Sequence, residues 1–134
     1  MKKIIGLYGC SNSGKTTTLN LLIELLGEKE YGDAPITISN HRGKKIVITP
    51  GGDEDDVIKN NIEAFEKAEG DILVTATRTT GQTTGYLSNY AKENSVKITW
   101  IKKNYAVIRT DLVNQAQAED IKAVIDSIID EWDK

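Results

Sequence analysis

The stretch IIGLYGCSNSGKTTTL, residues 4–19, decides how the rest of the chain is read. Residues 3–8 are a short apolar run, rich in isoleucine and bounded by glycine, which is the pattern of a strand buried on both faces. Beyond it Leu19, Leu22, Ile23 and Leu26 recur at helical spacing until Gly27, a residue suited to a helix end. Between strand and helix lies Gly9-Cys10-Ser11-Asn12-Ser13-Gly14-Lys15-Thr16, followed by Thr17. Glycines at both ends let the backbone curl until successive N–H groups point inward. At a helix N-terminus this makes a nest for phosphate oxygens. A lysine at position 15 then reaches the outer phosphates, and the Thr16 hydroxyl can ligate Mg²⁺. Cys10 occupies a variable position, where a small side chain needs no thiol chemistry.

Downstream, residues 35–39 and 45–49 are β-branched runs separated by Asn40-His41-Arg42-Gly43-Lys44. That connection is too short for a parallel crossover, so an antiparallel hairpin is expected. Pro50-Gly51-Gly52 breaks the chain, and Asp53, Glu54, Asp55 and Asp56 then put carboxylates on the first turn of a helix carrying Val57, Ile58, Ile62 and Phe65. Gly70 should end it. Residues 71–76 read as a buried strand. The Thr- and Gly-rich segment TATRTTGQTTGY, residues 75–86, leads into a helix with Leu87, Tyr90 and Ala91 on one face, and residues 96–101 read as a fifth strand. Ile121, Val124, Ile125, Ile128, Ile129 and Trp132 mark a long amphipathic helix whose apolar face is expected to pack on the core rather than on a second subunit. Residues 104–115 carry no clear pattern, and 105–109 read either as a sixth strand or as a loop. Strands alternating with helical patterns predict an α/β fold. It would be one mostly parallel sheet of five or six strands, with an antiparallel edge strand and helices on both faces, forming a single domain over residues 1–134.

A chain of 134 residues buries roughly two-thirds of its unfolded surface in one domain. No apolar run approaches the roughly 20 residues a membrane helix needs. The basic and apolar start, Met1-Lys2-Lys3-Ile4-Ile5, is interrupted by Gly6 and Gly9 before a signal-peptide core could form, so a cytoplasmic protein without membrane contact is expected. One cysteine, Cys10, excludes an internal disulfide and a cysteine-cluster metal site. With a net charge of -3 and three arginines, Arg42, Arg78 and Arg109, no broad basic surface advertises nucleic acid. His41 has no carboxylate near it in sequence and is expected as a turn residue rather than a catalytic base. Arg42 beside it is expected in solvent.

Residues 9–16 match G-x-x-x-x-G-K-[ST] in full, in the strand-to-helix setting that pattern requires, and residues 3–27 resemble the P-loop NTPase superfamily. The resemblance implies a three-layer sandwich with the strand before the loop at the centre of its sheet. It also implies a nucleoside triphosphate with Mg²⁺ as ligands, Lys15 on the β and γ phosphates, and Thr16 on the metal. The hairpin followed by IVITPGGD, residues 46–53, is similar to the GTPase-like branch, in which a hairpin leads into D-x-x-G. The acidic position of that motif falls on Ile48, which cannot hold a metal-bound water. Asp53, or less directly Asp55 or Asp56, is the nearest replacement as metal ligand and catalytic carboxylate; the other reading makes these residues a helix cap and first turn only. The guanine-reading N-K-x-D of the same branch falls on Lys102-Lys103-Asn104-Tyr105 and lacks its carboxylate. ATP is therefore the default nucleotide, with Tyr105 or the stem of Lys103 to pack on its base.

The small-molecule and nucleotide kinases are similar in another respect, an arginine after the fourth strand, in a lid over the γ phosphate. Arg78 stands there and would stabilise developing charge as a catalytic residue with Lys15. Such kinases usually insert a helical acceptor segment after the second strand, and this chain offers only the turn around His41 and Arg42. Three readings stay open: an ATP-binding protein that hydrolyses slowly, as a switch; a small kinase with a small-molecule acceptor; and a module whose nucleotide state controls a protein partner.

Overall fold

Nine elements alternate along a computed structural model that describes residues 1–10, 13–29, 32–51, 55–79 and 81–134. They are β1 (Lys3–Tyr8), α1 (Lys15–Leu25), β2 (Ile36–His41), β3 (Lys44–Thr49), α2 (Asp55–Lys67), β4 (Ile72–Thr77), α3 (Gln82–Glu93), β5 (Lys97–Lys102) and α4 (Thr110–Trp132). The five strands form one sheet in the order β2-β3-β4-β1-β5. β3, β4, β1 and β5 run parallel, and β2 pairs antiparallel with β3 at the edge.

The expected hairpin is present, but its turn is tighter than the sequence suggests. β2 continues through His41 and β3 begins at Lys44, leaving Arg42 and Gly43 to turn the chain with φ of 54° and 84°. Two central residues at positive φ are the geometry that matches the twist of the flanking strands. Asn40 supports it by accepting a hydrogen bond from the Gly43 N–H at 2.7 Å. The ambiguous 105–109 segment forms no strand, and α4 begins at Thr110, inside the 104–115 stretch that carries no clear pattern. Its first turns bury Asn114 and Gln117 where an apolar residue would have marked the pattern. β1 is interior, yet β4 holds the middle of the sheet.

Strand alternation explains why both faces are covered. Ile5, Leu7, Ile48 and Val74 project to one face beneath Leu19, Leu22 and Ile23 of α1 and Ile121, Ile125 and Ile129 of α4. Ile4, Val47 and Leu73 project to the other, beneath Phe65 of α2 and Leu87 and Ala91 of α3. β4, flanked on both sides and covered above and below, buries all six of its residues. The C-terminal helix faces the core as expected, with Ile125, Ile128 and Ile129 buried and Trp132 packed against them. Among the described residues no helix is long and apolar enough to cross a membrane.

His41 does find a carboxylate. Its Nε2 lies 2.7 Å from Oδ1 of Asp126 on α4, 85 residues away, while Lys122 donates to the other oxygen of Asp126 at 3.1 Å. Arg42 is held rather than free, donating to the Asp126 carbonyl at 3.2 Å and to Asp130 Oδ1 at 2.5 Å. These contacts fasten the hairpin to α4. They stand at the start of β3, the end of the sheet opposite the carboxyl ends of the parallel strands, so His41 is a structural residue remote from the glycine loop.

Burial alone would raise the Asp126 carboxyl, but the hydrogen bonds from His41 and Lys122 outweigh it and hold the group below the ordinary aspartate value. A depressed folded pKa contributes stability that is full above the ordinary value of 3.8 and is lost as the pH falls through the lower folded value. Asp126→Asn should therefore cost about 1 kcal/mol in urea unfolding at neutral pH and flatten the decline of stability below the ordinary aspartate value. An acid limb identical to that of the unaltered chain would show that the fastening is electrostatically idle. On the other face, a Cβ on Gly6 would lie 2.6 Å from the Trp100 ring. Gly6→Ala is expected to cost about 1–3 kcal/mol through overpacking, read as a lower urea midpoint with unchanged slope.

Candidate functional site

α1 leaves the end of β1 for one face of the sheet, and α3 leaves the end of the adjacent β4 for the other. Where neighbouring strands send their connections to opposite faces, the chain parts and leaves a crevice outside the carboxyl ends, which is where ligands of open α/β sheets bind. The register makes that crevice level. Tyr8 pairs with Thr77 on one side and with Lys102 on the other, so Gly9, Arg78 and Lys103 follow three strand ends at the same height.

Gly9 and Cys10 follow the end of β1, and Ser13 and Gly14 lead into α1. Gly14 has φ 95° and ψ 17°, the left-handed conformation that glycine adopts without cost, and it caps α1. A Cβ there would also lie 2.8 Å from Oδ1 of Asn114 on α4. Ser13 Oγ donates to the Cys10 carbonyl at 2.7 Å, closing the turn. The first turn of α1 carries no acidic residue and no side-chain cap, so its N-terminal field is not neutralised locally.

Lys15 is 4% exposed. Its ammonium donates to the Gly9 carbonyl at 2.5 Å and to the Thr77 carbonyl at 2.9 Å, and so bridges the ends of β1 and β4 at the crevice. Thr16, one residue on, donates its hydroxyl to the Pro50 carbonyl at 3.1 Å and reaches the end of β3. Thr17 is exposed in the same turn, and Cys10 is an exposed free thiol. The structure thus brings Gly9, Ser13, Gly14, Lys15 and Thr16 together as a loop wrapped on a helix N-terminus. Ser11, Asn12 and Asp53 lie outside the described residues, as do Glu54 and Thr80. Ile48 is fully buried in the core and offers nothing to a metal. Among the described residues no three His, Cys, Asp or Glu side chains converge as a metal site.

Arg78 and Tyr105 stand at the rim. Arg78 is exposed and follows Thr77 directly, and its carbonyl accepts from Thr84 Oγ1 at 2.8 Å. Tyr105 is 68% exposed and lines a cleft of about 430 Å³ together with Gly9, Ser13 and Lys103. Lys103 is buried, with its N–H donating to the Tyr8 carbonyl at 2.7 Å and its ammonium to the Asn104 carbonyl. Burial pushes its pKa below the ordinary lysine value.

Gln117, buried on α4, holds this corner: its Oε1 accepts from the Asn104 N–H and its Nε2 donates to the Lys102 carbonyl, both at 2.7 Å. Neither Asn114 nor Gln117 stood out in the sequence, because a buried amide in a helix breaks the apolar periodicity that would reveal it. The carbonyls of Thr77 and Pro50 carry no side-chain signal at all.

Comparison of this chain with protein-family models, with curated proteins and with solved structures returns no match.

Gly14→Ala is expected to cost about 1–3 kcal/mol, since it puts a Cβ on a left-handed residue and against Asn114. Chemical denaturation at constant slope measures it. Gln117→Ala leaves the Asn104 N–H and the Lys102 C=O without their partner and should cost about 1 kcal/mol. Faster amide exchange localised to Asn104 would accompany that loss, and unchanged exchange there would refute the role given to Gln117.

Proposed function

We propose that this chain is a member of the P-loop NTPase superfamily that binds a nucleoside triphosphate, ATP by default, with Mg²⁺, and hydrolyses it slowly. The observation that carries the reading is the buried ammonium of Lys15, held by the Gly9 and Thr77 carbonyls beneath a loop whose far glycine is left-handed. A buried ammonium anchored only for stability would be an expensive choice, whereas one poised at the mouth of a backbone nest supplies charge where a phosphate arrives. The residues fit the phosphates: the loop ends on a helix N-terminus that lacks acidic neighbours, and the left-handed Gly14 that caps it is packed against Asn114 of α4.

They also fit Mg²⁺ in part. The Thr16 hydroxyl lies at the first turn of α1 and would exchange the Pro50 carbonyl for the ion. Mg²⁺ keeps several waters and takes phosphate oxygens, so one hydroxyl and an outer carboxylate suffice, and Asp53 remains the proposed carboxylate. When bound, the ion would neutralise charge on the β and γ phosphates. Lys15 would orient the γ phosphate, and Arg78 at the rim would stabilise charge that develops on it. Slow turnover suits a site that relies on positioning and charge and lacks an acidic residue at Ile48. A small kinase is the second reading, favoured by the open cleft beside Gly9 and Ser13, where an acceptor would meet the γ phosphate.

Calorimetry with ATP and Mg²⁺ tests the first reading. Lys15→Ala should weaken binding by about 100-fold or more, equivalent to roughly 3 kcal/mol. Equal affinity for the variant and the unaltered chain would remove the phosphate-cradle assignment. Arg78→Ala should lower the hydrolysis rate about 10-fold or more while leaving affinity nearly unchanged.

A further inference from the structure

The sheet face beneath α2 and α3 is left open at its carboxyl end. By strand alternation from Ile4 and Ile98, Gly6, Tyr8 and Trp100 share that face. Gly6 has no side chain, and the Trp100 indole lies across it. Tyr8 stands edge-on to the indole, with ring centroids 6.2 Å apart and an interplanar angle of 78°. α3 packs its buried Leu87 and Ala91 farther along the face, and the indole keeps 38% exposure. Two large rings in contact are ordinarily a core element. Here they form one wall of a cleft of about 320 Å³, which meets the 430 Å³ cleft beside the glycine loop at Thr79.

The chemistry of the walls is one-sided. Among the described residues no carboxylate lines either cleft, whereas Lys102 and Lys103 both line the larger one. The Lys103 ammonium is bonded to the Asn104 carbonyl instead of an acid, and its desolvation leaves a cation that an arriving anion would stabilise. The hydroxyls of Thr77 and Thr83, buried and without a hydrogen-bond partner, lie on the two elements that the Thr79 segment joins. Neither lines a cleft, so the polar lining of the smaller one comes from Tyr8, Thr79 and Thr84.

We infer that the cleft walled by Tyr8 and Trp100, with the neighbouring Lys102, takes a second ligand, a flat aromatic anion of the size of a nucleoside monophosphate. Its ring lies against Tyr8 and Trp100 and its anionic group lies toward Lys102, which pairs with Tyr8 and shares the face of Trp100, while the Lys103 and Tyr105 side of the larger cleft is left to the base of the triphosphate. The inference rests on the proposed function only for the nucleotide in the loop.

Fluorescence of Trp100 tests it directly. The chain has two tryptophans, and Trp132→Phe leaves Trp100 as the reporter. AMP, GMP, CMP and UMP are titrated with and without a saturating non-hydrolysable ATP analogue and Mg²⁺, with inorganic phosphate and a ribose phosphate as controls that lack the ring. At least one monophosphate is expected to quench Trp100 saturably, in the presence of the analogue as well as in its absence, and the controls are not. By calorimetry, Trp100→Leu should weaken that monophosphate by about tenfold or more while the analogue changes by less than about twofold, and Trp100→Phe, which keeps a ring, should restore most of the loss. Lys15→Ala should lose the analogue and keep the monophosphate, so failure of the loop assignment leaves the cleft assignment decidable.

Competition between monophosphate and analogue would overturn the inference, because the cleft would then hold the base of the triphosphate. So would the absence of saturable quenching by all four at millimolar concentration, or equal quenching by the controls.

Discussion

The Lys15 ammonium, donating to the carbonyls of Gly9 and Thr77, ties together the two strands from which the chain departs in opposite directions. An ammonium almost without solvent must have its donors met, and here carbonyl oxygens at the ends of β1 and β4 meet two of them. That is feasible only because β1 and β4 are adjacent, parallel and in a register that ends them level at Tyr8 and Thr77. The sheet order therefore comes first, and the position of the charged group follows from it. A slip of the β1–β4 pairing would move the Thr77 carbonyl away from Lys15 and turn the buried side chains to the wrong face.

The long-range fastenings of the helices lie at the other end of the sheet. Helices α1 and α4 pack together on one face, fastened to the hairpin through His41, Arg42, Asp126 and Asp130 at the far end. The carboxyl end is consequently ordered by short-range devices of its own: the left-handed Gly14 against Asn114, the Thr16 contact to Pro50, and the Gln117 clamp on Lys102 and Asn104. Fixed contacts hold the strands from below, while Lys15, Lys102 and Lys103 gather at the carboxyl end.

Much of this was legible in the residues. The apolar run of β1, the helical spacing after Gly14 and the two β-branched runs are local patterns, and each produced the expected element. The turn at Arg42 and Gly43 is shorter than the sequence suggests and the start of α4 at Thr110 carries no pattern, because what sets them is the twist of the paired strands and the burial of amides, neither of which has a short-range signature. His41 was read as lacking a carboxylate because its partner lies on α4, at the other end of the chain.

The sequence by itself determined the alternation of strands and helices, the left-handed glycine before Lys15 and the loop between β1 and α1, since backbone freedom, apolar period and chain connectivity are properties of neighbouring residues. Only the tertiary structure decided that β4 and β5 flank β1, that Thr77 and Pro50 supply carbonyls to Lys15 and Thr16, and that Trp100 rests half-exposed across Gly6. Those contacts join residues far apart in the chain through backbone groups and empty space, which no side-chain pattern encodes. They exist only after the strands have paired.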